Sequence, residues 1–236
     1  MLEPYSDLPE STGLNIVTPD ELRESARLAA EYGLQLCSHA IGDRANRVTL
    51  DIYEETLGTV PDGRDRRWRV EHAQHLAPED ITRVGELDII AAMQPIHCTS
   101  DGPWVALRLG EERAENGAYM WRSLLDSGAV IASGTDAPVE AVDPIASYHA
   151  AVTRQFSDGA FFYPGQVMTR GEALRARTLD AAYAAFEEGI KGSLEAGKLA
   201  DVTVLSKDIL TVPDDEILDT KVLYTIIGGE VRYRAD

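Results

Sequence analysis

The sequence predicts a parallel α/β fold. Four short apolar runs are each followed within a few residues by a histidine or an aspartate, and the segments between them have helical periodicity. The runs cover residues 34–37, 68–70, 89–93 and 130–132. A repeat of strand, polar residue and helix is typical of a (β/α) barrel, which has eight such units. Four units predict only half of a barrel.

The helices between the runs have recognisable starts and stops. Thr18 and Glu21 form a capping-box pattern with Pro19 in the first turn, and Gly33 marks the end of that helix. Further helices are predicted over residues 44–57, from Pro78, over 119–125, from Pro144 and over 169–186. Residues 1–17 are predicted to form an extended, unpacked lead-in. Residues 99–117 are predicted to form a long loop that shapes a substrate pocket.

The alternation of predicted strands and helices ends near residue 190. A turn and a β-rich run follow Gly192, and residues 222–227 and 231–233 flank Gly228-Gly229 as in a β-hairpin. We therefore predict a partial (β/α) barrel over residues 1–190 and a small C-terminal β appendage over residues 191–236.

The composition limits the partners. The formal net charge is −18 and only four lysines occur in 236 residues, so the surface repels phosphate backbones and anionic membranes. We expect a small-molecule substrate, no nucleic acid and no membrane. Either an ordinary acidic bacterial surface or a halophilic source explains the charge, and the lysine depletion favours the halophile. Cys37 and Cys98 form no CxxC pair, and no leader or membrane segment is recognised, so we expect a cytoplasmic protein.

The polar residues after the runs carry the chemistry. His39, His72, His97 and Asp136 hold equivalent places at successive strand ends, and strand ends in a barrel face one shared pocket. A lone histidine is more often structural, but the recurrence favours a metal site. Imidazole nitrogens and a carboxylate are suitable ligands for Zn²⁺ and similar ions.

At these residues the chain resembles the YtcJ-like branch of the amidohydrolase superfamily, which includes N-substituted formamide deformylases. The resemblance rests on segments that occur in the family's order: HAIGDRAN (39–46), RVEHAQ (69–74), MQPIHCTSD (93–101), AYMWRSLLDSGA (118–129), SGTDAPVE (133–140) and GSLEAGKLADVTVL (192–205). It implies strands five to eight of a TIM-type (β/α)8 barrel and one or two divalent ions, with zinc expected. It also implies that His39 and His72 ligate metal from strands five and six, and that Asp136 ligates metal from strand eight and shuttles the proton.

The chain also departs from the family pattern. Members carry a His-x-His pair on strand one and a further ligand, often a modified lysine, on strand four. This sequence has no His-x-His and no lysine before Lys191. We therefore expect a C-terminal portion of the fold, completed by a separate N-terminal half or paired as a homo-oligomer.

The roles of the other candidates are less specific. His97 either forms a hydrogen bond with the substrate or its developing oxyanion, or holds the turn at Gln94-Pro95. Trp104 either packs in the interior or forms a wall of the pocket. We take His97 and Trp104 as candidates for substrate binding. His75 is expected to be structural or to support the site, and His149 to be unrelated to it. Asp43 is expected to cap the helix after His39.

Two functions remain open. The first is a metal-dependent amidohydrolase acting on non-peptide C–N bonds of the amide or N-formyl type, with this chain as an incomplete part. The alternative is a catalytically inactive half-barrel that serves as a binding or interaction module.

Overall fold

The computed structural model describes residues 1–236. The strands are β1 (Cys37–Ala40), β2 (Arg69–His72), β3 (Ile90–Met93), β4 (Ile131–Ser133), β5 (Val202–Leu205), β6 (Val222–Ile227) and β7 (Glu230–Arg234). The α-helices are α1 (Pro19–Glu31), α2 (Asp43–Leu57), α3 (Pro78–Glu86), α4 (Pro95–Leu109), α5 (Glu111–Gly117), α6 (Trp121–Asp126), α7 (Pro144–Thr153), α8 (Arg170–Arg177) and α9 (Leu179–Ala184). Short 3₁₀ turns lie at Gly63–Arg66, Pro164–Gln166 and Asp214–Asp219.

The first four strands form one parallel sheet in the order β1-β2-β3-β4. Every strand of this sheet follows its neighbour through at least one helix, as parallel connections require. The predicted α/β class with a parallel sheet is confirmed. All four strand carboxyl ends consequently lie along the same edge.

The two faces of this sheet differ in chemistry. Val70 and Ile131 lie on the face covered by helices, within the main hydrophobic core. The opposite face, here called the open face, carries Cys37 and His39 on β1, both exposed, and the ion-paired Arg69 and Glu71 on β2. Leu36, Val70, Ile90 and Ile131 therefore do not form an exposed apolar interior. Only Ile90 of these packs on the open side, where it forms a small buried cluster with Ala132 and with Ala184 of α9.

Helix ends follow local sequence rules at several points. Thr18 and Glu21 make the predicted capping box, with Glu21 Oε2 accepting the Thr18 N–H at 2.8 Å. Thr169 and Glu172 make a second one. The helix predicted over 169–186 is wrong as one piece, because Thr178 (φ −118°, ψ −83°) leaves helical geometry and separates α8 from α9. Asp43 is not a cap but the first residue of α2, and its carboxylate accepts the backbone N–H of Leu2 at 2.7 Å.

The long loop predicted over residues 99–117 is also wrong, because these residues lie in α4 and α5. Gly102 and Pro103 suggest a helix breaker, yet both lie inside α4. Gly102 is needed for packing, since a Cβ there would lie 2.5 Å from the Phe156 ring. In the next segment the helix starts at Trp121 and not at Tyr119, whose φ of +54° is incompatible with a helix.

The N-terminal segment is packed at its beginning and open further on. Met1 is buried in the main core, and Arg113 donates to the carbonyls of Glu3 and Pro4. The prediction of an unpacked lead-in is therefore wrong for these first residues. Leu14 and Ile16 remain almost fully exposed, at 96% and 87%.

The last three strands form a separate antiparallel sheet in the order β5-β6-β7. The predicted hairpin is confirmed, with the turn at Gly228-Gly229, where both φ values are positive. No helix of the chain is both long enough and apolar enough to cross a bilayer.

Candidate metal centre

Three strands and one helix bring polar side chains to the carboxyl edge of the parallel sheet. His39 lies in β1, and His72 is the last residue of β2. His97 lies in the first turn of α4, directly after β3, and Asp136 follows the end of β4. Because these strands are parallel neighbours, their ends place residues from distant parts of the sequence at one site.

Two of these residues have left-handed backbone conformations. The φ angle is +78° at His72 and +58° at Asp136. Such angles in residues other than glycine cost on the order of 1–3 kcal/mol and cluster at functional sites. Strict alternation along β2 would place His72 beside Val70 on the helix-covered face. Instead its ring lies 4.5 Å from the ring of His39, which belongs to the open face.

His72, His97 and Asp136 converge. One ligand atom from each lies within 4.8 Å of the others. The Nε2 atom of His97 lies 3.7 Å from Oδ2 of Asp136, and the rings of His72 and His97 are 6.0 Å apart between centroids. The 3.7 Å separation is too long for a hydrogen bond, so the pair is close without being bonded.

The donor chemistry of this cluster fits a divalent ion. His97 is buried, and its Nε2 has no hydrogen-bond partner. Nδ1 of His72 lies 2.8 Å from Oε1 of Gln94, which leaves its Nε2 available. With the Asp136 carboxylate, the set offers two imidazoles and one oxygen ligand, a combination that Zn²⁺ accepts.

His39 lies beside this cluster and is not one of its three members. Partial burial lowers the pKa of His39, and the neighbouring His72 acts in the same direction. Asp136 and Glu71 oppose this shift. The net effect favours a neutral imidazole at pH 7, the form that ligates metals or accepts a hydrogen bond.

Trp104 lies on α4, two turns beyond His97, and is 64% exposed. It lines a cavity of about 830 Å³ that also reaches His39 and runs along the lead-in. Other lining residues are His75, Asp101, Val105 and Arg108. The cavity thus touches the edge of the site through His39, whereas His72, His97 and Asp136 lie outside its wall.

Two residues near the site were not predicted from the sequence to have a role there. Gln94 contacts His72, and the only sequence signal was a polar residue between a buried strand and a proline. Tyr119 donates to the carbonyl of His97 at 3.1 Å and also contacts Asp101 and Gln74. Burial raises the pKa of the Tyr119 hydroxyl well above its usual value, so it stays a hydrogen-bond donor.

The remaining histidines have structural surroundings. His75 packs against the Tyr119 ring at 5.7 Å, and burial lowers its pKa to about 4. His149 lies in α7, where its carbonyl accepts the hydroxyl of Thr153 at 2.8 Å. Neither belongs to the three-residue cluster.

A parallel α/β sheet with imidazoles and a carboxylate gathered at its strand ends defines a class of proteins with a metal centre at the carboxyl edge. Within that class, the model of the amidohydrolase family matches residues 1–233. The chain belongs to the amidohydrolase family.

The chain is similar over most of its length to several named proteins. It is 41% identical over 233 residues to the protein LONG AFTER FAR-RED 3 of Arabidopsis thaliana, covering 98% of this chain and 40% of that protein. It is 33% identical over 234 residues to YtcJ of Bacillus subtilis, a protein named as an amidohydrolase, covering 98% and 43%. It is 29% identical over 221 residues to N-substituted formamide deformylase of Arthrobacter pascens, covering 94% and 40%.

The fold has a solved counterpart. A crystal structure of an uncharacterized metal-dependent hydrolase from Pyrococcus furiosus superposes with a TM-score of 0.75 at 34% identity, covering 89% of this chain and 41% of that one. The chain spans about two fifths of the length of the relatives it matches. The resemblance to YtcJ-like and deformylase-like amidohydrolases that the motifs indicated is confirmed.

Proposed function

We propose that this chain supplies part of the catalytic centre of a metal-dependent amidohydrolase that cleaves non-peptide C–N bonds of the amide or N-formyl type. The observation that carries the proposal is the convergence of His72, His97 and Asp136 at the strand ends. The similarity to a formamide deformylase supports the bond type. Zinc is the ion that we propose, because two imidazoles and one carboxylate suit it.

The ligand set is proposed in two parts. His72 and Asp136 are the ligands on which the family resemblance and the observed cluster agree. For the third ligand the resemblance favours His39, whereas the geometry of this chain favours His97, whose Nε2 is buried without a partner. We propose that whichever imidazole does not bind the metal donates a hydrogen bond to the substrate carbonyl.

The residues of this chain would divide the chemistry as follows. A bound divalent metal supplies Lewis acidity that polarises a carbonyl and acidifies water. Asp136 is 38% exposed and so reachable by water. Its carboxylate takes the proton of the attacking water as the C–O bond forms, and then passes that proton to the leaving amine as the C–N bond breaks. Trp104 forms one wall of the adjoining substrate cavity.

The proposed assembly completes a barrel. We propose that β1 to β4 are strands five to eight of a (β/α)8 barrel and that residues 191–236 form part of its β domain. Both β1 and β4 have an unpaired edge, and exposed sheet edges are sites of strand pairing. A separate N-terminal half or a second copy of the chain would cover these edges, and a separate N-terminal half would also supply the missing ligands.

The alternative is an inactive half-barrel that binds without catalysis. The experiment that separates the two supplies the chain with the segment of Bacillus subtilis YtcJ that it does not cover, and measures hydrolysis of N-formyl amines and simple amides with zinc. We expect hydrolysis that disappears in an Asp136→Asn variant. A stable complex that binds no zinc and shows no hydrolysis dependent on Asp136 would favour the inactive module.

A further inference from the structure

The side chain of Gln94 is oriented by contacts on both ends of its amide. Its Nε2 donates to the carbonyl of Ala92 at 3.2 Å, and its Oε1 lies 2.8 Å from Nδ1 of His72. The first contact fixes which end of the amide is the donor, because a backbone carbonyl only accepts. The oxygen therefore faces His72.

An oxygen that faces an imidazole nitrogen selects a tautomer. A carbonyl oxygen only accepts, so Nδ1 of neutral His72 must carry the proton for the 2.8 Å contact to be a hydrogen bond. The lone pair of the neutral ring then lies on Nε2. Since His72 converges with His97 and Asp136, this tautomer leaves a nitrogen free for a ligand.

No helix-capping hydrogen bond competes for the side chain of Gln94. It precedes α4 at the N-cap position, yet its side chain makes no capping bond. The next residue is Pro95, which has no N–H to satisfy. Gln94 lies between the buried strand β3 and α4, and its two amide contacts place it beside the site.

We propose that Gln94 is a positioning residue that fixes the Nδ1–H tautomer and the ring orientation of His72, and so presents Nε2 to a divalent metal. The proposal rests on the proposed function for the identity of the ligand. The tautomer itself is a property of the metal-free chain. Partners of this kind typically contribute 10–100-fold to metal affinity.

The first readout needs no metal. The chain holds only five histidines, so ¹⁵N-histidine labelling gives five imidazole patterns in a long-range ¹H–¹⁵N spectrum, recorded at about pH 8, where an ordinary imidazole is neutral. The His72 pattern is assigned by its loss in His72→Gln. We expect the Nδ1–H form in the wild-type chain and in Gln94→Glu, which keeps an acceptor oxygen. In Gln94→Leu we expect a shift toward the Nε2–H form.

The second readout is the dissociation constant of Zn²⁺, measured by titration calorimetry. We expect it to rise about 10–100-fold in Gln94→Leu and to recover in Gln94→Glu. Gln155→Leu is the matched control, because Gln155 bonds only the local carbonyl of Gly159 through its side chain. An Nε2–H tautomer in the wild-type chain, or an unchanged tautomer in Gln94→Leu, overturns the proposal, as does unchanged zinc affinity in that variant. If no variant binds zinc, the proposed function fails, and the tautomer measurement alone then decides the role of Gln94.

Discussion

His97 Nε2 lies 3.7 Å from Asp136 Oδ2, although one residue follows β3 and the other follows β4. The contact exists because β3 and β4 are adjacent parallel strands in register, with Met93 opposite Ser133. The nitrogen is buried without a hydrogen-bond partner, which normally costs on the order of 1–3 kcal/mol. A ligand between the two groups would remove that penalty.

Substitution of the cluster should weaken metal binding in a defined order. In the isolated chain we expect His72→Ala, His97→Ala and Asp136→Asn each to raise the zinc dissociation constant by at least about 100-fold, since ligands contribute more than their supporting residues. His39→Ala should have a smaller effect, because His39 is not a member of the three-residue cluster. Calorimetric titration of the four variants and a His149→Ala control tests this order. A larger loss in His39→Ala than in His97→Ala would show that the ligand implied by the family resemblance is the correct one.

The isolated chain should not hydrolyse amides or N-formyl compounds at an appreciable rate. The chain lacks the His-x-His pair and the strand-four ligand that the family resemblance implies. One face of the sheet at the site is also open to water, which weakens electrostatic stabilisation of a transition state. Product formation should equal that of Asp136→Asn under zinc saturation. Robust turnover that depends on Asp136 would mean that the chain forms a working site without further residues.

The isolated chain should associate in solution. The unpaired edges of β1 and β4 and the exposed Leu14 and Ile16 are surfaces that a folded monomer normally covers. Sedimentation velocity should show species larger than 25.8 kDa, and a Leu14→Asp/Ile16→Asp double variant should shift them toward monomer. Leu194→Asp is the control, because Leu194 is 80% exposed in the C-terminal segment. A sharp monomer of the unmodified chain with a cooperative thermal transition would contradict the prediction.

Acid should destabilise the chain partly through Glu172. Its hydrogen bonds with Arg122 and Thr169 lower its pKa from 4.5 to about 2, with the Arg122 contact the largest cause. A carboxyl group with a depressed pKa in the folded state stabilises the fold above its unfolded pKa of 4.5, and this contribution is lost as the pH falls toward 2. Because the pair is partly exposed, the contribution is about 1 kcal/mol.

A Glu172→Gln variant tests this contribution through urea unfolding at several pH values. The variant should lose about 1 kcal/mol of unfolding free energy at pH 7 and should show a shallower decline below about pH 4.5 than the wild-type chain. Glu10→Gln, at an exposed position on the lead-in, is the control. Equal acid slopes in the wild type and in Glu172→Gln would disprove the assignment.

The sequence alone determined the alternation of strands and helices, because apolar runs and helical periodicity are local signals. The strand end at His72, the capping box at Thr18 and the hairpin at Gly228-Gly229 all follow from such signals. The motifs also identified the family, since they lie in one order along the chain. The sequence did not predict α4, within which Gly102 lacks a side chain because the Phe156 ring packs against it.

Only the tertiary structure decided which of the polar residues meet. The left-handed backbone at His72 accompanies a ring that lies away from the face that strand alternation assigns to it, a conformation that the residue type does not predict. The pairing of the parallel strands placed His97 with His72 and Asp136, left His39 beside them, and set the amide of Gln94 against His72. The faces of the sheet were decided in the same way, because the side of each strand that is buried depends on where the helices cross it.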